Sequence, residues 1–324
     1  MRVLGIGKET SFKAGATPDL WLDLIGHSVS VRRENLWMES AWHRTPHAMF
    51  GGPYVVEGDI DLILTPLGAA RLLYLAMGSL YVSVPDDEVS PKAWNHDLRI
   101  SNGGLPSAEF DLIFDGNAFK ILGTVVRRLE IAFVARELAA ATVGILGAKV
   151  TTATATGSPI HPEVETPWKP ATMIVHRNDE DVAYKIHAIR ITLENSVADD
   201  AHVLNSLELP QIFTQGVEIT GEIEWMFSNW DEYQRFLGGA EPSADVSPVR
   251  YQIEIFDGST GSSVAGYENE RLMMILPRCY LTESDVHFTR RERIVQRISF
   301  KVATDPENES APMQVYIVTT RDSP

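Results

Sequence analysis

The sequence predicts a mainly β protein, a β-sandwich or half-barrel with one short helix, present as two tandem units through internal duplication. Three observations carry this expectation. Apolar and polar residues alternate with period two in several segments, as in strands with one packed and one polar face. The stretch "EGDIDLIL" (57–64) returns as "TGEIEWMF" (220–227), and the step of 163 from Gly58 to Gly221 is within one residue of half of a 324-residue chain. After each of these strands the period turns helical for a short stretch that ends in glycine.

In chain order, residues 1–20 read as an extended N-terminal arm, and a first unit spans 21–156. Its strand "GHSVSVRREN" (26–35) alternates through Val29 and Val31. It aligns with "IHAIRITLEN" (186–195) at a step of 160, setting His27 against His187 and Glu34-Asn35 against Glu194-Asn195. The segment "LWMESAWHRTPHAMFGGPY" (36–54) is too long for a tight hairpin and reads as a loop carrying Trp37, Trp42, Met49 and Phe50. Its counterpart, 196–216, has less aromatic content. In the strand 57–64, Ile60, Leu62 and Leu64 take the core face and Asp59 and Asp61 the other. A helix follows in "PLGAARLLYLAMGS" (66–79), with Leu67, Ala70, Leu73 or Tyr74, and Met77 on one face, proline at its start and Gly78 at its end.

Further on, "FVAREL" (133–138) aligns with "FTRRER" (288–293), Arg136 against Arg291, and Val143 and Ile145 fall against Ile298 and Phe300. One such block is chance; three collinear blocks indicate a duplicated domain. The four prolines of 157–170 read as a stiff linker. In a second unit, 171–305, Glu222 and Glu224 lie on the face opposite Ile223 and Trp225. Its helix, "NWDEYQRFLGG" (229–239), has Asn229 as N-cap and Asp231 and Glu232 in the first turn. Residues 306–324 form a C-terminal segment.

Composition narrows the function. Lys plus Arg number 28 against 44 Asp plus Glu, a formal charge of -16, which argues against a protein that grips nucleic acid but not against one that nucleic acid passes. The single cysteine, Cys279, excludes an intramolecular disulfide and a Cys-based zinc site. No signal-peptide h-region and no apolar run long enough to span a membrane is expected. "GIGKET" (5–10) lacks the spacing and the Ser or Thr of a phosphate loop. His43 and His47 have metal-ligand spacing, but Pro46 breaks the helix that would align them. Asp59 and Asp61 have the separation of paired glycosidase carboxylates, yet such pairs are more often the wet side of a sheet. No nucleophile elbow is present. The expectation is a non-enzyme without catalytic residues, cofactor or metal.

Three stretches, "GKETSFKAGATPDLWLDLIGHSVSVRREN", "YVVEGDIDLILTPLGAARLLYLAMGS" and "FKILGTVVRRLEIAFVARELAAATVGILG", resemble the tail tube (major tail) proteins of long, non-contractile-tailed bacteriophages of the siphovirus type. The likeness is close over roughly 8–150, with the second half a weaker copy. It rests on the order and spacing of the Gly-Lys-Glu-Thr start, the V-E-G-x-I strand and the leucine-rich helix that ends in Gly78-Ser79. The resemblance implies a structural virion protein, assembled in the host cytoplasm, whose rings stack into a hollow tube through which genome DNA leaves. Implied partners are further copies of itself, the tape measure protein, and the tail terminator and distal tail proteins, with double-stranded DNA passing unbound and no membrane. Two tube units per chain imply a homotrimeric ring with pseudo-sixfold symmetry. Asp59, Asp61, Glu222 and Glu224 are the lumen candidates, with the exterior or a neighbouring subunit as the alternative. In this family the loop matching 36–54 reaches the next ring, which makes Trp37, Trp42, Met49 and Phe50 stacking candidates. Competing readings are a carbohydrate-binding or glycan-hydrolysing β-sandwich and the tube protein of a contractile tail or secretion machine.

Overall fold

The structure, a computed structural model, describes residues 2–39, 42, 44–86, 88–154, 166–244, 246–287, 294–304 and 311–322. The chain is mainly β. Its first half contains β1 (Arg2–Lys8), β2 (Leu20–His27), β3 (Ser30–Met38), β4 (Ala48–Ile63), α1 (Pro66–Met77), β5 (Gly78–Ser83), β6 (Trp94–Ile100), β7 (Ala108–Phe114), β8 (Asn117–Val134), β9 (Ala140–Gly147) and β10 (Lys149–Thr154). The second contains β11 (Met173–Arg177), β12 (Glu180–Asp181), β13 (Ile186–Ala198), β14 (Phe213–Met226), α2 (Asp231–Leu237), β15 (Val249–Asp257), β16 (Glu270–His287), β17 (Val295–Val302) and β18 (Gln314–Thr319).

The ladders of the two halves follow one order. In the first, β2 and β3 together pair with β4, then β4 with β9, β9 with β8, β8 with β7, and β7 with β1. In the second, β13 pairs with β14, β14 with β17, β17 with β16, β16 with β15, and β15 with β11. The registers agree in detail. Ile60 faces Val143 as Ile223 faces Ile298, and Gly58 faces Ile145 as Gly221 faces Phe300. The β8–β9 ladder is irregular between Val126 and Arg128, and the β16–β17 ladder between Leu281 and Glu283, the same place at a step of 155.

The first strand departs from the expected alignment. His27 faces Ile60 while Ile189 faces Ile223, so the structural step there is 162 rather than 160. Asn195 therefore has no counterpart in Asn35. Its buried amide donates to the carbonyls of Ala76 and Val126, 3.0 Å each, tying the second half to the first. The repeated glycine serves a different purpose in each copy. A Cβ on Gly58, whose φ is 151°, would sit 2.5 Å from the Val29 Cα that crosses it, whereas one on Gly221 would enter the Phe300 ring.

One apolar core runs through both halves, from Leu4 and Ile60 to Trp225 and Ile317. Several expectations change accordingly. Residues 2–8 are not an arm: β1 lies between β2 and β7, with Leu4 and Ile6 fully buried. Residues 314–319 of the C-terminal segment form β18, which pairs with β16 and with β6 of the first half. The linker 157–170 lies outside the described residues as far as 165. Its described end is docked, since Trp168 is fully buried and its backbone bonds both Leu64 and Ala139. The block 288–293 with Arg291, and His43, also lie outside the described residues.

The helices differ from each other more than their patterns suggest. Thr65 caps α1 by accepting from Gly68 N, and Gly78 (φ 87°) ends it. Every residue of α1 except Tyr74 is buried, because β8, β6 and β5 of its own half pack against it and β18 and β16 of the second half cover the rest. In α2 no residue is buried. Trp230, not Asn229, occupies its N-cap position, and the Asn229 side chain accepts from Asp231 N instead.

Candidate assembly surfaces

Ladders join eight strands into one sheet across both halves, in the order β2–β3 (one broken strand), β4, β9, β8, β13, β14, β17, β16. The seam is the antiparallel pairing of β8 with β13, Arg128 opposite Glu194 through Val134 opposite Ala188. Alternation sends Ile60, Leu129, Ile131, Ile191, Ile223 and Ile298 to the core, and leaves the other face polar over its full width.

The sequence-derived acids all lie on that polar face. Asp61 accepts from the Thr142 hydroxyl at 2.7 Å, and Asp59 stands against Gly144, with its backbone N–H donated to Ser28 Oγ. Glu222 and Glu224 are set differently. Arg190 reaches Glu222 at 3.0 Å and Glu224 at 3.4 Å, and Arg297 reaches the same two at 3.3 and 3.1 Å. Burial would raise the Glu224 carboxyl, but hydrogen bonds from Arg297 and Arg190 outweigh it and hold the group below its usual value. The same face carries ion pairs between Arg128 and Glu130, Lys301 and Glu218, and Arg32 and Glu57. The face thus alternates in sign over the second half and is richer in acid over the first. Reading for acids alone misses Arg190 and Arg297. Their positions beside Ile189 and Ile298 would have put them on this face, but which acid each meets depends on register.

The segment expected as a loop is largely a hairpin. β3 and β4 stay paired out to Leu36 opposite Phe50, Trp37 opposite Met49 and Met38 opposite Ala48. Alternating polar residues do not mark these positions, so period two is hidden by side chains that are apolar on both faces. All four candidates are exposed, Trp42 at 93% and Trp37, Met49 and Phe50 at more than half, and Leu36 and Met38 add to the patch. The counterpart after β13 also exposes apolar side chains, at Val203, Leu204, Leu207 and Phe213, but it differs in one respect. It folds back so that Leu209 is fully buried with Val55, Leu146 and Ala148, and Tyr54 N donates to Leu207 O.

"GKET" also finds its role. The Glu9 carboxylate accepts from the backbone N–H groups of Lys13, Gly15 and Gly123 at 3.0–3.2 Å and from the Ser107 hydroxyl at 2.6 Å. It is a structural clasp between β1, the turn after it and β8. Among the described residues no group of three or more His, Cys, Asp or Glu is placed to hold a metal, and no helix is long and apolar enough to cross a membrane.

No curated protein matches the chain. A protein-family model described as phage tail tube protein matches residues 1–300, reaching from β1 into β17. With nearly its entire length covered by that match, the chain belongs to the phage tail tube protein family, a structural component of the virion.

Proposed function

We propose that the chain polymerises as rings stacked into the hollow tail tube of a long, non-contractile phage tail, the conduit for the ejected genome. Each chain supplies two tube units, 21–156 and 171–305, derived by duplication, so that three chains close a pseudo-hexameric ring. The observation that carries this reading is the eight-stranded sheet that a single chain forms across both halves. The shared ladder order and the shared irregularity near Val126 and Leu281 support the duplication.

Geometry favours three chains over one. Eight strands closed alone make a barrel filled by its own side chains. Eight strands from each of three chains, at a spacing of about 4.8 Å and a tilt of about 40°, make a barrel roughly 50 Å across at the backbone, and side chains narrow it to about 35–40 Å. That bore admits a DNA duplex. The polar face lines it, with Asp59 and Asp61 as the acids that repel phosphate and Glu222 and Glu224 held in ion pairs that give passing DNA no excess positive charge. The hairpin bearing Trp37, Trp42, Met49 and Phe50 projects to the neighbouring ring, because so many exposed apolar side chains on one element mark a partner surface. The tape measure protein occupies the lumen before DNA does, terminator and distal tail proteins end the tube, and assembly takes place in the host cytoplasm.

Electron microscopy of the concentrated protein tests the reading. Hollow tubes with three chains per ring are expected. Rings of six chains would make the second unit a decoration, and soluble monomers at every concentration would remove the tube function from the isolated chain.

A further inference from the structure

The chain pairs its halves in one register, and the counterparts of both partners recur at the two ends of the sheet. Inside the chain, Arg128–Val134 of β8 runs antiparallel to Ala188–Glu194 of β13. β16 repeats β8 against its neighbour at a step of 155, so the counterpart of Arg128 is Glu283. The first strand repeats at 162, so the counterpart of Glu194 is Arg32 and that of Ile191 is Val29. Among the described residues, the far edges of Glu283–His287 and of Ser28–Arg32 meet no strand. An open strand edge templates pairing with another chain.

We infer that a second copy of this chain closes these edges, with Glu283–His287 of one copy antiparallel to Ser28–Arg32 of the next in the register used internally. Arg32 then stands opposite Glu283, Val31 opposite Ser284 and Val29 opposite Val286. Charge complementarity supports the register. The internal seam sets Arg128 opposite Glu194, and the outer one sets Glu283 opposite Arg32, with signs exchanged between strands and opposition kept. Burial supports it as well. Leu193, opposite Leu129, is buried in the internal seam, while its counterpart Val31 is 42% exposed in the single chain and gains cover from the next copy. Arg32 already bonds Glu57 and Asp199 of its own chain, so the new contact extends a network across the joint.

The inference rests on the ring reading above and adds which edges meet and in what register. The full-length chain carrying Val31→Cys and Ser284→Cys is assembled, mildly oxidised and run on a non-reducing gel, beside a shifted pair, Val31→Cys with Val286→Cys. Cys279 does not compete, since it is buried and burial pushes its thiol up. Chain-to-chain cross-links in the first protein and few in the second are expected. Separately, Arg32→Glu lowers the assembled fraction by about tenfold, and adding Glu283→Arg restores most of it, as expected for opposed charges across an interface. Wild-type tubes with no cross-link in the first protein, or with equal cross-links in both, would overturn the register and leave the ring reading standing. Absence of both rings and cross-links would overturn the two together.

Discussion

Acid probes how the C-terminal strand is held, through one histidine. His96 is fully buried where β6 meets β18, its Nε2 2.8 Å from Thr319 Oγ1 and 3.1 Å from the Arg321 carbonyl oxygen. A carbonyl only accepts, so Nε2 carries the proton, and Nδ1 is left bare and without a partner. Burial pushes the imidazole down from 6.5 to about 4, against the raising influence of the Arg321 carbonyl and of Asp322. As pH falls the unfolded chain therefore takes up this proton first. The stability is fully present above pH 6.5 and is lost between there and about pH 4. Linkage puts the loss between about pH 7.5 and about pH 5 at roughly 2 kcal/mol. Asp111 works in the opposite sense, since burial raises its carboxyl to about 6 and protonation there favours the folded chain. Comparing wild type with His96→Gln cancels that contribution, because glutamine keeps a donor but does not titrate. In urea unfolding of the isolated chain, H96Q is expected to be about 1–2 kcal/mol less stable at neutral pH. The gap should narrow by roughly 2 kcal/mol near pH 5. A gap that stays constant across this range would refute the assignment of a buried neutral imidazole.

Other outcomes follow from the same contacts. Glu9→Ala leaves three backbone N–H groups without their acceptor and should cost about 2–4 kcal/mol in chemical unfolding; a loss below half a kcal/mol would mean water replaces the clasp. Gly221→Ala drives a methyl into the Phe300 ring and should cost about 1–3 kcal/mol, with Phe300→Leu in the same chain recovering part of it in thermal melts. Replacing Trp37, Trp42, Met49 and Phe50 by serine should leave the melting temperature of the isolated chain nearly unchanged, because all four are exposed, yet abolish tube growth seen by microscopy. Asp59→Lys with Asp61→Lys should slow DNA release from assembled particles, most strongly at low salt, and release at the wild-type rate from intact tubes would move these acids off the lumen.

Local sequence determined that the segments around Ile60 and Ile223 are strands, where α1 starts and stops, and that Asp59, Asp61, Glu222 and Glu224 share the face opposite their apolar neighbours. Those properties depend on period two, on terminal residues such as Pro66 and Gly78, and on side chains a few positions apart, all of which a linear pattern records. The repeat at Gly58 and Gly221 was legible for the same reason, as was the likeness to tube proteins. Register was not. A shift of two residues leaves every side chain on its proper face, so the alignment of His27 with His187 satisfied the pattern equally well. Only the ladder against β4 and β14 showed the step to be 162. Tertiary packing likewise turned the expected arm into β1 and the C-terminal segment into β18, because short strands with glycines at Gly5 and Gly7, or with few residues, acquire their meaning from the neighbours that cover them. It also decided the charge of the polar face. Arg190 and Arg297 are distant in sequence from the acids they meet, and only strand pairing brings these opposite charges within hydrogen-bond reach.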